Sequence, residues 1–421
     1  MSEILKIIEE FKKPCACGKV HKTAVRDVVI EPGAVKRVGE ILRKNSFPED
    51  LLLVADKNTL KAASPITESL YGFNVSYKIY DDLRVAKMEH VEELQDLIRG
   101  KDIAVLSVGT GSVNDSCRLA ASREGKRLCI FGTAPSMDGF ASYGAPIVKG
   151  AFKSSYASQS PEVIIADTEI LAAAPTKLKS AGFGDMMAKY IGLIDWQISH
   201  LLTGEYYCEK IAALTREAAD EIMSMAGSVT KNDPHTAGKI FEALLKTGIG
   251  MSFSENSRPA SGSEHIIAHL IECVELRSGK IPNFHGEDVG VCTLYMLKYY
   301  NALAEHEAVG ADYEKVDWDD VYSFYGDMAP DVRKLNEPEN CIDGVTPESV
   351  KENWSAVREI IKSVPGYDEV KEAMEKAGCK ITVSDIGKSE KLFSDCVKYS
   401  PYMRKRLTLL RLKDMIKPAD V

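Results

Sequence analysis

I-A-V-L-S-V-G-T-G-S-V-N-D-S-C-R-L-A-A, residues 103–121, is where the fold can be read. Ile103, Ala104, Val105, Leu106 and Val108 make an apolar run of strand length, Gly109 and Gly111 interrupt it, and an amphipathic segment follows from Ser116. A strand, a glycine turn and a helix in that order form half of a strand–helix–strand unit. Outward from it the same alternation recurs, with apolar runs at residues 26–30, 51–55, 75–79, 128–131 and 163–166 and helix-like stretches between them. Short runs separated by helices indicate a mostly parallel sheet covered on both faces, an α/β nucleotide-binding architecture.

The glycine turn is either a diphosphate cradle or an ordinary tight turn. Gly109 and Gly111 let the backbone approach a ligand closely, and the helix start behind them offers free N–H groups. It is not the full dinucleotide fingerprint, because Asn114 stands where the third glycine belongs. Two other strand ends point the same way. Asp56 closes the run 51–55, where a ribose hydroxyl is commonly read. G-T-A-P-S-M-D-G-F-A-S, residues 132–142, gathers Thr133, Ser136, Asp138 and Ser142 in one loop. Ligands of an open parallel sheet bind outside the carboxyl ends of its strands, where all three loops would lie.

After Pro175 the pattern becomes helical, with segments at residues 185–202, 209–226, 237–247, 263–277 and 289–304. The expected division is an amino-terminal segment 1–25, an α/β dinucleotide-binding domain 26–175 and an all-α metal- and substrate-binding domain 176–421. Residues 311–377 are acidic and helical and offer no chemistry. Residues 402–416, with Leu407, Leu409, Leu410 and Leu412, read as a docking helix that closes the domain.

S-R-P-A-S-G-S-E-H-I-I-A-H, residues 257–269, carries two histidines one helical turn apart, His265 and His269. Ser261 and Glu264 have the spacing of a capping box. The glutamate of a zinc-protease helix is missing between the histidines, so further ligands must come from elsewhere. Asp185, in A-G-F-G-D-M-M-A-K, and His285, in P-N-F-H-G-E-D-V-G, are the candidates. A single histidine on an apolar helix is ordinarily a hydrogen-bonded core residue. Here three of the chain's eight histidines fall within residues 257–290, beside Gly, Ser and Pro. Two imidazoles and a carboxylate suit a catalytic divalent ion that keeps an open position, and they suit zinc or nickel better than magnesium. Arg258, just before Pro259, is either a guanidinium fork for a substrate phosphate or the partner of a carboxylate such as Glu255. Lys149 and Lys153 are further candidate cations.

Composition bounds the rest. The 421 residues are 45% hydrophobic and 27% charged, with a formal net charge of -9. That field repels nucleic acid and anionic lipid, so neither is an expected partner. No apolar run reaches the length of a membrane span. Residues 1–13 alternate Glu and Lys with Ile, Leu and Phe, unlike a signal peptide. The ten cysteines follow no disulfide framework and read as reduced thiols, which places the chain in the cytoplasm. Cys15, Cys17 and His21 cluster in C-A-C-G-K-V-H, but one residue between the cysteines fits structural zinc spacing poorly. That stretch reads as a terminal, non-catalytic segment.

G-T-G-S-V-N-D, T-A-P-S-M-D-G-F-A-S, G-F-G-D, S-R-P-A-S-G-S-E-H-I-I-A-H, F-H-G-E-D-V-G and R-K-R-L-T-L-L together carry a resemblance. From about Arg26 to the carboxyl end, the sequence resembles the sn-glycerol-1-phosphate dehydrogenases, especially their bacterial branch. These sit within the metal-dependent alcohol dehydrogenase and dehydroquinate synthase-like group. The resemblance implies a cleft between an α/β and a helical domain, and a homo-oligomer, most simply a homodimer. It assigns NAD or NADP to Gly109, Thr110, Gly111, Ser112, Val113, Thr133, Ser136 and Ser142, with Asp56 on the ribose. It assigns one divalent metal, zinc or nickel, to Asp185, His265 and His285, and places Asp138 and His269 with Asp185 at the substrate. The implied reaction is reversible reduction of dihydroxyacetone phosphate to sn-glycerol 1-phosphate, a step of phospholipid metabolism. Alternatives are a polyol dehydrogenase acting on an unphosphorylated substrate, a dehydroquinate synthase-like lyase that eliminates phosphate, and a nucleotide sensor without catalysis.

Overall fold

All six apolar runs become strands of one sheet. The computed structural model describes residues 2–418. Its first eight strands are β1 (Asp27–Glu31), β2 (Asp50–Asp56), β3 (Asn74–Tyr80), β4 (Ala104–Gly109), β5 (Leu128–Gly132), β6 (Gly144–Lys149), β7 (Phe152–Ala157) and β8 (Val163–Asp167). The six-stranded sheet has the order β1-β8-β5-β4-β2-β3, and every pairing in it is parallel. β4, β5 and β8 are buried along their whole length, which is why their sequences are unbroken apolar runs and do not alternate. Register places Ala55 opposite Val108 and Gly109 opposite Gly132, so the ends of β2, β4 and β5 open on one edge. The three candidate loops start there.

β6 and β7 form an antiparallel hairpin that the sequence reading did not anticipate. Gly150, with φ 63°, makes its turn, and an isolated bridge from Lys87 to Val148 ties it to the preceding segment. Lys149 ends one arm opposite Phe152, and Lys153 is the second residue of the other arm.

Beyond β8 the chain is helical. The expected helix at 185–202 is two, Thr176–Met187 and Lys189–Thr203, joined at Ala188, and the expected helix at 289–304 starts earlier, as His285–Glu305. Close glycine contacts set how these pack. A Cβ on Gly286 would lie 1.9 Å from Ala181 O, and one on Gly182 would lie 1.9 Å from Pro135 O. Only glycine lets Thr176–Met187 lie against both the His285 helix and the loop after β5, so the G-F-G-D and H-G motifs are packing devices that gather three site elements. The two regions share core, as Phe140 and Phe241 meet with ring centroids 4.8 Å apart.

Residues 402–416 do dock, but not as a helix. They form turns of 3-10 helix at Ser400–Tyr402 and Arg411–Asp414 and end in a short strand, Ile416–Pro418, paired with Val309–Ala311. Leu407, Leu409, Leu410 and Leu412 are all buried, a pattern no single helix face provides. The backbone there serves the core directly, Leu409 N–H donating to Asp195 Oδ1 at 2.8 Å and Leu410 N–H to the Tyr300 hydroxyl at 3.3 Å. Among the described residues no helix is long and apolar enough to cross a membrane.

Candidate active site

A cavity of about 860 Å³ opens between the sheet's carboxyl edge and the helices. Its sheet-side wall includes Asp56, Thr110, Gly111, Ser112, Asp115, Thr133, Ser136, Asp138 and Ser142. Gly111 opens the helix Gly111–Arg123, so its first N–H groups have no partner within the helix. Asp56 caps the next helix, its Oδ1 accepting the N–H groups of Asn58 and Thr59, both at 2.8 Å. Two expected cofactor residues do not reach the wall. Gly109 is still strand, and Val113 turns inward, where a Cβ on Gly109 would meet its side chain at 3.1 Å. The loop after β5 is pinned from beneath by the buried Arg118, which donates to Gly139 O at 2.5 Å, to Ser142 O and to Ser158 Oγ at 3.0 Å. Arg118 also pairs with Asp115 at 3.3 Å. Burial nevertheless pushes the Asp115 carboxyl up to about 7, against the pull of Arg118 and Lys153 and with a further push from Asp138.

The opposite wall is built from ionisable side chains locked to one another. The helix Ser263–Arg277 carries His265 and His269 to the cavity, and His285 enters as the first residue of its own helix. The expected capping box is not formed. Gly262 is the cap, without a side-chain bond, because Glu264 is used elsewhere: its Oε1 accepts from Gly262 N–H at 2.9 Å and from His265 Nδ1 at 2.6 Å. Glu272 does the same for His285, accepting from its Nδ1 at 2.8 Å, and also binds Lys153 Nζ at 2.5 Å. Asp185 lies beneath the wall, fully buried. Its Oδ1 accepts from Lys189 Nζ at 2.8 Å and its Oδ2 from Asp138 N–H at 3.0 Å, while Lys189 reaches Asp138 Oδ2 at 2.6 Å.

The chain of charges fixes each protonation state. Burial alone would raise the Asp185 carboxyl, yet the Lys189 charge and His265 hold it well below the usual carboxylate range. Burial would lower His265, but hydrogen bonds to Asp185 and Glu264 push it up to about 9. Burial and the Lys153 charge drive His269 well below the ordinary imidazole range, so its ring is neutral.

Asp185, His265 and His285 offer ligand atoms all within 4.8 Å of one another. Their donor chemistry fits a divalent ion. A carboxylate can only accept, so His265 and His285 carry protons on Nδ1, the usual support for metal-bound imidazole, and a divalent ion at His265 Nε2 would displace the second proton that the flanking carboxylates hold on that ring. His265 Nε2 lies 3.4 Å from Asp185 Oδ1. Two ligand atoms about 2.1 Å from a tetrahedral ion are about 3.4 Å apart. A second grouping, His269, Glu272 and His285, is equally compact, but there Glu272 is already committed to Lys153 and to imidazole protons.

Arg258 is corrected. Its guanidinium is buried and saturated, donating to both Glu205 oxygens, to Leu407 O at 2.7 Å and to Ser199 Oγ at 3.1 Å, and it does not line the cavity. It is a clamp that holds the loop before the histidine helix; its partner is Glu205, not Glu255. The cations that do line the cavity are Arg84, Lys153, Lys177, Arg404 and Arg406; Arg84 and Lys177 lie over the Phe284 ring, while Lys153, Arg404 and Arg406 are tied to the histidine wall and the loop before it. Arg404 donates to Lys153 O at 3.0 Å, and Arg406 to Ser261 O and Ser257 Oγ, both at 2.7 Å, all uncharged acceptors. The sequence held a signal for them in R-K-R-L-T-L-L, but the helix expected there hid it. Lys189, Glu264 and Glu272 were missed as well, since each reads as an ordinary polar position of an amphipathic helix.

The model of the family described as iron-containing alcohol dehydrogenase matches residues 29–175. The chain is 35% identical over 275 residues to the NAD(P)+ glycerol-1-phosphate dehydrogenase of Methanothermobacter thermautotrophicus, covering 65% of this chain and 77% of that protein. It is 29% identical over 420 residues to the protein of the same name from Halalkalibacterium halodurans, covering 97% and 98%. Among solved structures, the NADH-dependent butanol dehydrogenase A of Thermotoga maritima superposes with a TM-score of 0.62 at 15% identity, over 93% of this chain and 92% of that one. That likeness is one of fold.

Proposed function

The chain belongs to the glycerol-1-phosphate dehydrogenase family, and from that premise we propose that it catalyses the reversible, NAD(P)H-linked reduction of dihydroxyacetone phosphate to sn-glycerol 1-phosphate. One observation carries this reading for the chain's own residues. A single cavity holds a strand-end cradle for a dinucleotide, two histidines whose Nδ1 protons are held by carboxylates, and, beside them, Arg404 and Arg406 on uncharged acceptors and Lys153 on Glu272.

The division of labour follows the walls. The first N–H groups of the Gly111–Arg123 helix, with Thr110, Ser112, Thr133 and Ser136, hold the diphosphate and nicotinamide half of the coenzyme, which supplies the hydride. Asp56 is fixed by its own cap at the wall, where a carboxylate pairs with a ribose diol and repels a 2′-phosphate, so NADH is the preferred form. A divalent ion held by Asp185, His265 and His285, zinc or nickel by the nature of its donors, would supply Lewis acidity at the reacting oxygen. Lys189 keeps Asp185 ionised and aimed, and holds Asp138 at the substrate end of the cavity. His269, neutral and one turn along from His265, holds or moves the proton. Lys153, Arg404 and Arg406 bind the phosphate. The cofactor domain spans residues 26–175 and the helical domain 176–421, and a cytoplasmic homodimer serving phospholipid metabolism completes the proposal.

An assay of NADH and NADPH oxidation with dihydroxyacetone phosphate and with dihydroxyacetone, with and without added zinc or nickel, tests it. Metal-dependent oxidation with the phosphorylated ketone alone is expected. Equal rates with both ketones would make the enzyme a polyol dehydrogenase, and phosphate release without coenzyme oxidation would make it a lyase.

A further inference from the structure

We propose that Cys15, Cys17, His21 and Cys208 form a structural zinc site that clamps the amino-terminal segment onto the helical region. The four side chains offer ligand atoms all within 4.8 Å of one another, remote in sequence and role from the cleft described above. Cys15 Sγ lies 3.7 Å from Cys208 Sγ, and His21 Nε2 lies 3.4 Å from Cys17 Sγ and 3.7 Å from Cys208 Sγ. With zinc–sulfur bonds of about 2.3 Å and zinc–nitrogen bonds of about 2.05 Å, the edges of a tetrahedral site are about 3.8 Å between sulfurs and about 3.6 Å between sulfur and nitrogen. The two sulfur–nitrogen separations bracket their value and the sulfur–sulfur separation falls about 0.1 Å short of its own, whereas a disulfide would need its sulfurs near 2.05 Å.

Two further features belong to a built site. His21 is buried with Nδ1 3.0 Å from Phe253 O, so that nitrogen carries the proton and Nε2 presents its lone pair to the sulfurs. A tight turn explains how cysteines with one residue between them reach one centre. Gly18, with φ 83°, donates its N–H to Cys15 O at 2.9 Å, and Cys15 N–H returns to Lys19 O at 3.2 Å, curling the chain round a common point. The spacing that looked poor for zinc in sequence is completed by Cys208, 193 residues from Cys15.

The location gives the ion a purpose. Segment 1–25 holds the helical region through Phe11, stacked on Phe253 at 4.4 Å, and through Lys19 over the Tyr206 ring at 3.9 Å. Tyr206 and Cys208 follow Glu205, the partner of Arg258, and Phe253 lies in the last turn of the helix Pro234–Ser254, which leads into the Ser257–Ser261 wall of the cavity. Zinc here would set the position of both strands of chain that carry the Arg258 clamp.

The test is zinc content by elemental mass spectrometry of the full chain purified under reducing conditions and supplied with zinc. One equivalent per chain is expected to survive in His265→Ala and to be released by p-hydroxymercuribenzoate, which displaces metal from thiolates. Cys17→Ser and Cys208→Ser should each lose that equivalent, while His265→Ala keeps it. Should those variants not fold, the mercurial titration of the wild-type chain decides by itself. Absence of mercurial-releasable zinc, or a Cys15–Cys208 disulfide found by peptide mass spectrometry in the zinc-supplied protein, would overturn the site. Neither result touches the proposed reaction, which rests on other ligands.

Discussion

The two walls of the cavity solve recognition in opposite ways. The sheet-side wall works mainly with main-chain N–H groups and small hydroxyls at strand ends, positioned by register and by the buried Arg118 beneath the loop after β5. The helical wall works with buried charges, each held by another: Lys189 by Asp138 and Asp185, His265 by Glu264, His285 by Glu272, and Glu272 by Lys153. A wall of amides tolerates change because each net hydrogen bond contributes only about 1 kcal/mol. A closed network of buried charges does not, since removing one member strands its partner in low dielectric.

The largest contrast is expected from matched substitutions on the two walls. His265→Ala, or exhaustive chelation of the wild type, should lower kcat/KM by about a thousandfold or more, equivalent to roughly 4 kcal/mol of transition-state stabilisation. Ser136→Ala across the cavity should cost less than about tenfold. Comparable losses at both positions would erase the distinction between the walls. Next comes Lys189→Met, measured by urea unfolding of metal-free protein. It leaves Asp138 and Asp185 facing each other without their buried cation, and about 3–5 kcal/mol of stability should go. A loss below about 1 kcal/mol would show that the carboxyls are satisfied without Lys189.

Smaller effects sharpen the picture within the helical wall. Glu272→Gln removes the carboxylate that fixes the His285 ring, and should weaken metal binding about 10–100-fold by isothermal titration while leaving the fold intact. Arg406→Met should raise KM for dihydroxyacetone phosphate about tenfold to a hundredfold, the worth of one charge-assisted contact, and leave any rate with dihydroxyacetone unchanged. Arg258→Met, by contrast, should lower thermal stability and impair both substrates together, because it strips the partner from Glu205.

What the sequence disclosed follows from the range over which each signal acts. The sheet was legible because β2, β4, β5 and β8 are buried runs whose apolar character is local. The convergence of Asp185, His265 and His285 was legible because rare donor types stand beside glycine motifs. Long-range pairings were not: nothing near Arg258 announces Glu205, and nothing near Cys15 announces Cys208. The β6–β7 hairpin escaped because its arms mix buried and exposed residues without alternation. The end of the chain misled because a leucine-rich basic stretch suggests a helix, although Leu407, Leu409, Leu410 and Leu412 spread round a helix and suit an irregular buried strap.

The smallest expected effect tests whether the sheet-side wall is as free of electrostatics as its amides suggest. Asp115 lies in that wall, and burial, opposed by Arg118 and Lys153, lifts its carboxyl to about 7, well above the ordinary carboxylate range. The folded chain therefore holds a proton at Asp115 that the unfolded chain has released, over the window from about pH 4 to 7. Stability from this group is full below pH 4, declines as pH rises through that window and is flat above it. Coenzyme binding has the same sign. Below pH 7 the carboxyl is neutral, and above it a negative charge stands in the wall that receives the diphosphate. The Kd for NADH should then rise roughly fivefold from pH 6 to pH 8, about 1 kcal/mol, the scale of a charge pair with water between. In Asp115→Asn the side chain stays neutral throughout, so the dependence should flatten at the low-pH affinity. A slope that persists in Asp115→Asn would assign the titration to another group and leave the wall to its amides.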